Sequence, residues 1–393
     1  MVSPFIFQNR TKVYFGNGML FRLHEELARR GRRVLLVYGS GSIKKNGIYP
    51  IILHEIEQAG LSGYELSGVT ANPDIRLVRQ GVSLCRRAAI DLILAVGGGS
   101  VLDTAKAIAG SVPYEDDPWD LIKSRAQIRE ALPVIAVPTL ASTGSEMNGC
   151  AVISNEDTRE KCGWTAEPLR PAVSFLCPEN TYSADAYQTA CGSADILSHL
   201  LEVYLQKEET FDAVEEFMES MMRSVIKYAP MAMENPECEE ARANLLWDAS
   251  WAINDFVESG HSVAWSCHAM EHELSAFYHI THGLGLAILT PAFLSHVLNE
   301  ETAPRLARFA VNVMGVKPKK SLKKTAEKGI RKLSGFFCKT LGLPGTLSQI
   351  GIGSADFEKM ADQCLAWKGK NGVIHGFIPL EKKDILEIYR KAL

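Results

Sequence analysis

Three short apolar runs, each ending in glycines or hydroxyls, limit what this chain can fold into. Arg33-Val-Leu-Leu-Val-Tyr38 runs into Gly39-Ser40-Gly41-Ser42. Asp91-Leu-Ile-Leu-Ala-Val96 runs into Gly97-Gly98-Gly99-Ser100, and Pro133-Val-Ile-Ala-Val-Pro138 into Thr139-Leu-Ala-Ser142-Thr143-Gly-Ser145. A short run that is apolar at every position is a strand buried on both faces. Helical patterns lie between the runs: a stretch through Ile51 to Glu57 that stops at Gly60, then Ile75 to Ala89, then Val101 to Ala109. Strands alternating with helices predict a parallel sheet covered on both sides, an α/β domain.

From about Asp185 the pattern changes. Ala194 to Leu205, Ala213 to Tyr228, Glu240 to Phe256, Ala303 to Val313 and Ser321 to Leu341 carry a 3.6-residue period, and strand signals become sparse. The expected division is an α/β dinucleotide-binding domain over 1–184 and an all-α domain over 185–393. At about 150 residues per domain, the 393 residues suit two or three domains.

The chain carries 42 Lys and Arg against 46 Asp and Glu, a net charge of −4. That balance argues against nucleic acid or a membrane surface as partner. The basic run Lys317 to Lys324 reads as a solvated helix start. Nine cysteines, with no C-x-x-C pair, fit a reducing, cytoplasmic compartment. The first residues lack the basic-then-apolar pattern of a signal peptide, and the apolar runs are far short of the ~20 residues of a membrane span.

In open α/β sheets, ligands bind outside the carboxyl ends of the strands. The three loops therefore describe one cofactor crevice. Glycines let a phosphate approach the backbone, and a helix N-terminus offers free N–H groups to an anion. The loops match neither G-x-G-x-x-G with a later acidic residue nor G-x-x-x-x-G-K-[ST]. The first strand's tip has no carboxylate to repel a 2′-phosphate. It has Ser40, Ser42, Lys44 and Lys45 to receive one, so NADP(H) is expected over NAD(H).

Ten histidines are an ordinary total, but five fall between 261 and 282: His261, His268, His272, His279 and His282. On a helix, His268 and His272 share a face, as do Asp195 and His199 upstream. A carboxylate with neutral imidazoles suits one divalent cation: iron(II), zinc, nickel or manganese. His261 and His279 read as structural. Trp251, Phe256, Trp265 and Phe277 read as core residues, with a pocket-lining role left open.

The segment Trp265 to Gly285 resembles the metal-site signature of the iron-containing (group III) alcohol dehydrogenases. Gly97-Gly-Gly-Ser-Val-Leu-Asp-Thr-Ala-Lys106 and Pro138-Thr-Leu-Ala-Ser-Thr-Gly-Ser-Glu146 resemble its cofactor loops, and the stretch around Asp195 and His199 its other signature. Within the family, the similarity is greatest to butanol dehydrogenases and NADPH-dependent aldehyde reductases. The resemblance implies an N-terminal α/β domain with a helical metal-binding domain, as in dehydroquinate synthase-like folds, and a homodimer or larger homo-oligomer. It implies Asp195, His199, His268 and His282 as metal ligands. It sets the 97–100 loop and Asp103 against the pyrophosphate and ribose, Thr139, Ser142 and Thr143 along the cleft, and Lys161 at the cofactor. Gly39, Ser40, Gly41, Ser42, Lys45 and Asn72 complete the cofactor set. NAD-preferring relatives tend to have Asp near position 39, where this chain has Gly39.

The implied reaction interconverts primary alcohols and aldehydes, with a metal polarising the substrate oxygen. His272 is either a proton relay or a residue that orients a ligand. Departures from the family pattern fall at Cys177, at Asp185-Ala186 and at His279, away from the ligands. A glycerol dehydrogenase-like enzyme is an alternative, as is a dehydroquinate synthase-like lyase. The lyase's phosphorylated substrate calls for Lys and Arg, and residues 261–290 contain neither.

Overall fold

The computed structural model describes residues 4–124, 126–206, 212–260 and 263–393. The chain forms strands β1 (Lys12–Phe15), β2 (Arg33–Gly39), β3 (Ser62–Val69), β4 (Leu92–Gly97), β5 (Val134–Pro138), β6 (Cys150–Asn155), β7 (Glu160–Thr165) and β8 (Val173–Leu176). Among them run helices α1 (Leu23–Arg30), α2 (Ser42–Lys45), α3 (Ile48–Gln58), α4 (Ile75–Ala88), α5 (Gly99–Ser111) and α6 (Pro118–Ile122). The later helices are α7 (Ala186–Tyr204), α8 (Asp212–Glu234), α9 (Glu239–Ala252), α10 (Ser266–Tyr278) and α11 (His282–Val297). They are followed by α12 (Ala303–Asn312), α13 (Leu322–Gly335), α14 (Phe357–Lys368) and α15 (Lys382–Lys391). Among the described residues, no helix is long and apolar enough to cross a membrane.

Contacts divide the chain into two compact units. One holds Gln8–Asp185 with Pro236–Asn254; the other holds the described residues of Met1–Phe7, Ala186–Asn235 and Asp255–Leu393. A single break near residue 185 is thus too simple. The segment carrying α9 packs with the α/β unit, partly because Arg242 donates to the Ala184 carbonyl at 3.1 Å and Ser250 to Glu146 at 2.5 Å.

In the α/β unit, six parallel strands run in the order β1-β8-β5-β4-β2-β3. The three apolar runs of the sequence are its central strands, and Val34 to Val37, Leu92 to Val96 and Ile135 to Val137 are buried. Leu23 and Leu27 of α1 and Ile48, Ile52 and Ile56 of α3 pack on one face. The chain steps outward from β2 to β3, then returns to the other side of β2 with β4. That reversal is a topological switch point, and in open α/β sheets ligands bind beyond the carboxyl ends of the strands at such a point. Register brings the strand ends level: Tyr38 pairs with Val96, Gly97 with Pro138, and the Thr139 amide donates to the Gly97 carbonyl at 3.0 Å.

In the helical unit, α7 is buried on every side from Thr189 to Tyr204; α11 packs against it, and α10 packs against α11. The closest approach is at Gly283. A Cβ there would overlap the Cys191 carbonyl on the α7 backbone. Glycine at 283 lets the first turn of α11 lie against α7 one turn before Asp195, which brings His282 beside that carboxylate. Gly283→Ala forces two backbones apart in a packed interior, an overpacking cost of about 1–3 kcal/mol or more. The expected result is a melting temperature lowered by several degrees, read by thermal unfolding.

Candidate functional site

Asp195, His199 and Glu202 stand at i, i+4 and i+7 along α7, and so share one face. All three are buried, on a helix whose other inner residues carry no charge. A buried carboxylate or imidazole must find partners. For Asp195 these are ring nitrogens. Its Oδ1 lies 3.6 Å from His199 Nε2, 4.0 Å from His268 Nε2 and 3.6 Å from His282 Nε2. Those separations exceed a hydrogen bond. They are close to the about 3.4 Å expected between neighbouring ligand atoms that each sit ~2.1 Å from a shared tetrahedral cation. His268 Nε2 is buried and has no hydrogen-bond partner among the described residues. Asp195, His268 and His282 offer ligand atoms within 4.8 Å of one another. His199 reaches this set through Asp195. The donor set fits a divalent cation.

Two carboxylates aim the rings. Glu202 Oε2 contacts His268 Nδ1 at 2.5 Å and accepts the His268 amide at 2.9 Å, while Glu202 Oε1 accepts the Cys267 amide at 2.7 Å. One side chain therefore caps the N-terminus of α10 and orients the imidazole that α10 presents. Glu271 contacts Nδ1 of His282, and Ser275 Oγ donates to it at 2.5 Å. A carboxylate on Nδ1 keeps the proton there and leaves the Nε2 lone pair for a metal. Glu271 fits because a Cβ at Gly285 would collide with its side chain at 2.7 Å. His199 is positioned by rings instead. It stacks on His268, with centroids 4.7 Å apart and planes 13° apart, and meets the Trp265 edge at 5.9 Å. Burial lowers its pKa to about 3, so the ring is neutral, as a ligand must be.

Glu202 and Glu271 were not assigned from the sequence. The signal was present: each is an acid one turn from a predicted ligand, on a stretch too apolar to leave it solvated. His272 is buried, its ring centroid 5.4 Å from that of His282. His279 is exposed and ends α10 with φ 53°, which agrees with a structural reading. His261 lies outside the described residues.

At the carboxyl edge of the sheet, the structure gathers the 39–42, 97–100 and 139–143 loops. The three glycines of 97–99 do different things. A Cβ at Gly97 would strike Val101 at 2.9 Å, and one at Gly99 would overlap Thr143. At Gly98 only Leu140 comes within 4 Å, at 3.9 Å, so this is the position with an open face. Gly98 also precedes the first turn of α5, which no side chain caps. Ser100 Oγ donates to the Ala71 carbonyl at 2.7 Å and draws the Asn72 loop to the same edge. Gly41 takes φ 127°, which a side chain would disfavour.

Two expected cofactor residues are engaged within the protein. Asp103 is buried in α5, where Oδ1 accepts from Ser145 Oγ at 2.6 Å and Oδ2 from the Val152 amide at 3.0 Å. Lys161, on β7, is buried and near enough to Asp103 to stabilise its charge. Burial raises the Asp103 pKa, with Lys106 the first opposing influence. Lys44 lies over the rings of Tyr38 and Tyr49, at 5.1 and 4.6 Å, and both hydroxyls donate to Glu65. Lys45 is exposed and has no ion pair or hydrogen bond among the described residues.

One unit thus carries a parallel sheet with a glycine-rich switch point, and the other a carboxylate–imidazole cluster that fits a divalent cation. Residues 10–178 match the iron-containing alcohol dehydrogenase family model, and residues 189–393 match the C-terminal model of the Fe-containing alcohol dehydrogenase family. The chain is 43% identical to NADH-dependent butanol dehydrogenase A of Clostridium acetobutylicum, over 97% of each chain. It is 31% identical to the NADPH-dependent aldehyde reductase YqhD of Escherichia coli, over 94% of this chain and 96% of that one. The crystal structure of NADH-dependent butanol dehydrogenase A from Thermotoga maritima superposes with a TM-score of 0.94 at 37% identity, covering 100% of this chain and 99% of that one. The chain belongs to the iron-containing alcohol dehydrogenases, a family of oxidoreductases.

Glu202→Ala leaves the Cys267 and His268 amides buried without an acceptor. At about 1–3 kcal/mol for each such group, the expected loss is roughly 2–6 kcal/mol. Glu202→Gln keeps one acceptor oxygen and should lose less, and denaturant titration of both variants measures the difference.

Proposed function

We propose that this chain interconverts short primary alcohols and aldehydes, of the butanol and butyraldehyde type, with Asp195, His199, His268 and His282 holding one divalent cation. The observation that carries this is the convergence of the three imidazole Nε2 atoms on Asp195 Oδ1 at 3.6–4.0 Å. Iron fits the family, and zinc, nickel and manganese suit the same donors. When bound, the cation polarises an alcohol or carbonyl oxygen, and a nicotinamide cofactor gives or takes hydride.

The protein's own part is to orient. Glu202 and Glu271 hold His268 and His282 in the tautomer that turns Nε2 inward. We assign to His272 the movement of the proton at the substrate oxygen, because imidazole exchanges protons near neutrality and this one is buried beside His282. Gly98 and the first turn of α5 receive the pyrophosphate, with Ser100, Asn72, Thr139, Ser142, Thr143 and Lys161 around it. The cysteine usage, nine in 393 residues with no C-x-x-C pair, supports a reducing, cytoplasmic setting.

The finer reading of the cofactor is NADP(H). What supports it is the tip of β2, where Gly39, Ser40, Gly41 and Ser42 leave no carboxylate and Lys45 is unengaged. Lys44 contributes less than its sequence position suggests, because the tyrosine pair holds it. The relatives bear both names, NADH-dependent and NADPH-dependent.

Butyraldehyde reduction, with metal analysis of the purified protein, tests the whole. His268→Ala should lose both metal and turnover, and turnover without metal overturns the centre. His272→Ala should keep its metal and lose about 10²–10⁴-fold in kcat. Full turnover across pH would return His272 to an orienting role. Lys45→Ala should lower kcat/KM for NADPH by roughly tenfold, the worth of one charged hydrogen bond, and leave that for NADH unchanged. A higher kcat/KM with NADH in the unaltered protein overturns the NADP(H) reading.

A further inference from the structure

Lys106 is a lysine with no exposed surface, on the α5 turn that follows Asp103. Its ammonium has three protons and three acceptors. These are the Asn148 carbonyl at 2.8 Å, Asn148 Oδ1 at 3.0 Å and the Cys150 carbonyl at 2.8 Å. Asp103, three residues earlier, holds Ser145 Oγ and the Val152 amide. Two charges from one helical turn thus fix residues 145, 148, 150 and 152, the segment that leads from the 139–143 loop into β6.

The hold passes on to the loop itself. Asn148 Nδ2 donates to the Thr143 carbonyl at 3.4 Å, and the Ser145 amide donates to Thr143 Oγ1 at 3.3 Å. Thr143 in turn lies against Gly99, where a Cβ would overlap it. On the far side the loop turns at Gly144 with φ 58°, close enough to α9 that a Cβ would come within 3.5 Å of the Ala249 carbonyl carbon. Glu146 accepts from Ser250 Oγ at 2.5 Å. Burying a lysine and two acids is costly, and an apolar core would hold the same volume without that cost. Burial pulls the Lys106 pKa down to about 8, with Asp103 the first influence opposing it. An expensive arrangement that ends on a loop at the switch point has its return in the loop's position.

We propose that Lys106, acting together with Asp103, is a positioning residue for the dinucleotide: Lys106 through Asn148 and Asp103 through Ser145 set Thr143 and Ser142 against Gly98–Gly99. The inference rests on the reading of that loop as cofactor-binding. The ammonium touches no cofactor. It removes the freedom the loop would otherwise lose on binding, so its loss appears in cofactor affinity before it appears in chemistry.

The test is NADPH and NADH binding to the full-length, metal-loaded protein, followed by nicotinamide fluorescence, with hydrogen exchange of residues 139–150 in parallel. Lys106→Met, similar in length and uncharged, should weaken the tighter cofactor at least tenfold. Exchange in 139–150 should speed up while amides of β4 and β5 stay protected, and the KM for butyraldehyde should stay within twofold. Asn148→Ala keeps both backbone acceptors but breaks the link to Thr143. It should weaken binding about threefold in the same direction, and it decides the question if Lys106→Met does not fold. Cofactor affinity within twofold of the unaltered protein in a folded variant overturns the proposal. So does exchange that rises equally in β4, β5 and the loop, which is general destabilisation. Failure of the unaltered protein to bind either dinucleotide overturns the cofactor reading, and this inference with it.

Discussion

Glu202 is a buried carboxylate, and the helical unit is arranged to answer its charge. Two amides of the first α10 turn and one imidazole nitrogen converge on its two oxygens. The amides are those a helix start leaves without partners, so the carboxylate meets both a hydrogen-bonding need and the positive end of the helix dipole. Capping α10 also sets the rotation of that helix, and the rotation decides where His268 points. Without Glu202 the ring could still be buried, but nothing would fix which nitrogen faces Asp195. Glu271 repeats the device on His282, and Gly285 makes room for it. His199 differs, since its ring is fixed by stacking on one so oriented.

Buried charge organises the α/β unit in a comparable way. There the charged side chains face backbone and side-chain polar groups rather than a candidate metal ligand. Lys106 uses all three ammonium protons, and each Asp103 oxygen accepts one hydrogen bond, on the one segment from Ser145 to Val152. In both units, charges removed from water define a backbone position to within a hydrogen bond. Apolar packing would stabilise the same region but would tolerate small shifts. Close backbone contacts supply the rest of the definition, and they explain particular glycines. Gly283 and Gly99 are fixed by what lies against them, whereas Gly98 is the glycine whose absent side chain leaves access.

Much of the architecture could be read along the chain, because its cause is local. The all-apolar runs Val34–Val37, Leu92–Val96 and Val134–Val137 are central strands since no other element of that length can bury both faces. The pairs Asp195/His199 and His268/His272 are legible as helical spacing. What spacing did not carry was any relation between segments. That α9 packs with residues 8–185 depends on Arg242 reaching Ala184 and Ser250 reaching Glu146, links across 58 and 104 residues. The strand order with its reversal at β2 likewise rests on pairings between distant segments.

Asp103 and Lys44 show the limit more sharply. Each is a charged residue at the position where a cofactor contact is expected, and sequence gives no reason to look further. In the fold, Asp103 turns inward to Ser145 and Val152, and Lys44 turns to the faces of Tyr38 and Tyr49. A charge beside a binding loop answers to the nearest strong partner, and for these two that partner belongs to the protein. On the proposed cofactor reading, the groups free to meet a phosphate are the ones with few internal obligations: the open face of Gly98, the uncapped first turn of α5 and the unengaged Lys45. A binding residue is recognised here by which groups its own fold has not already used, and that accounting requires all of the partners, wherever they lie in the chain.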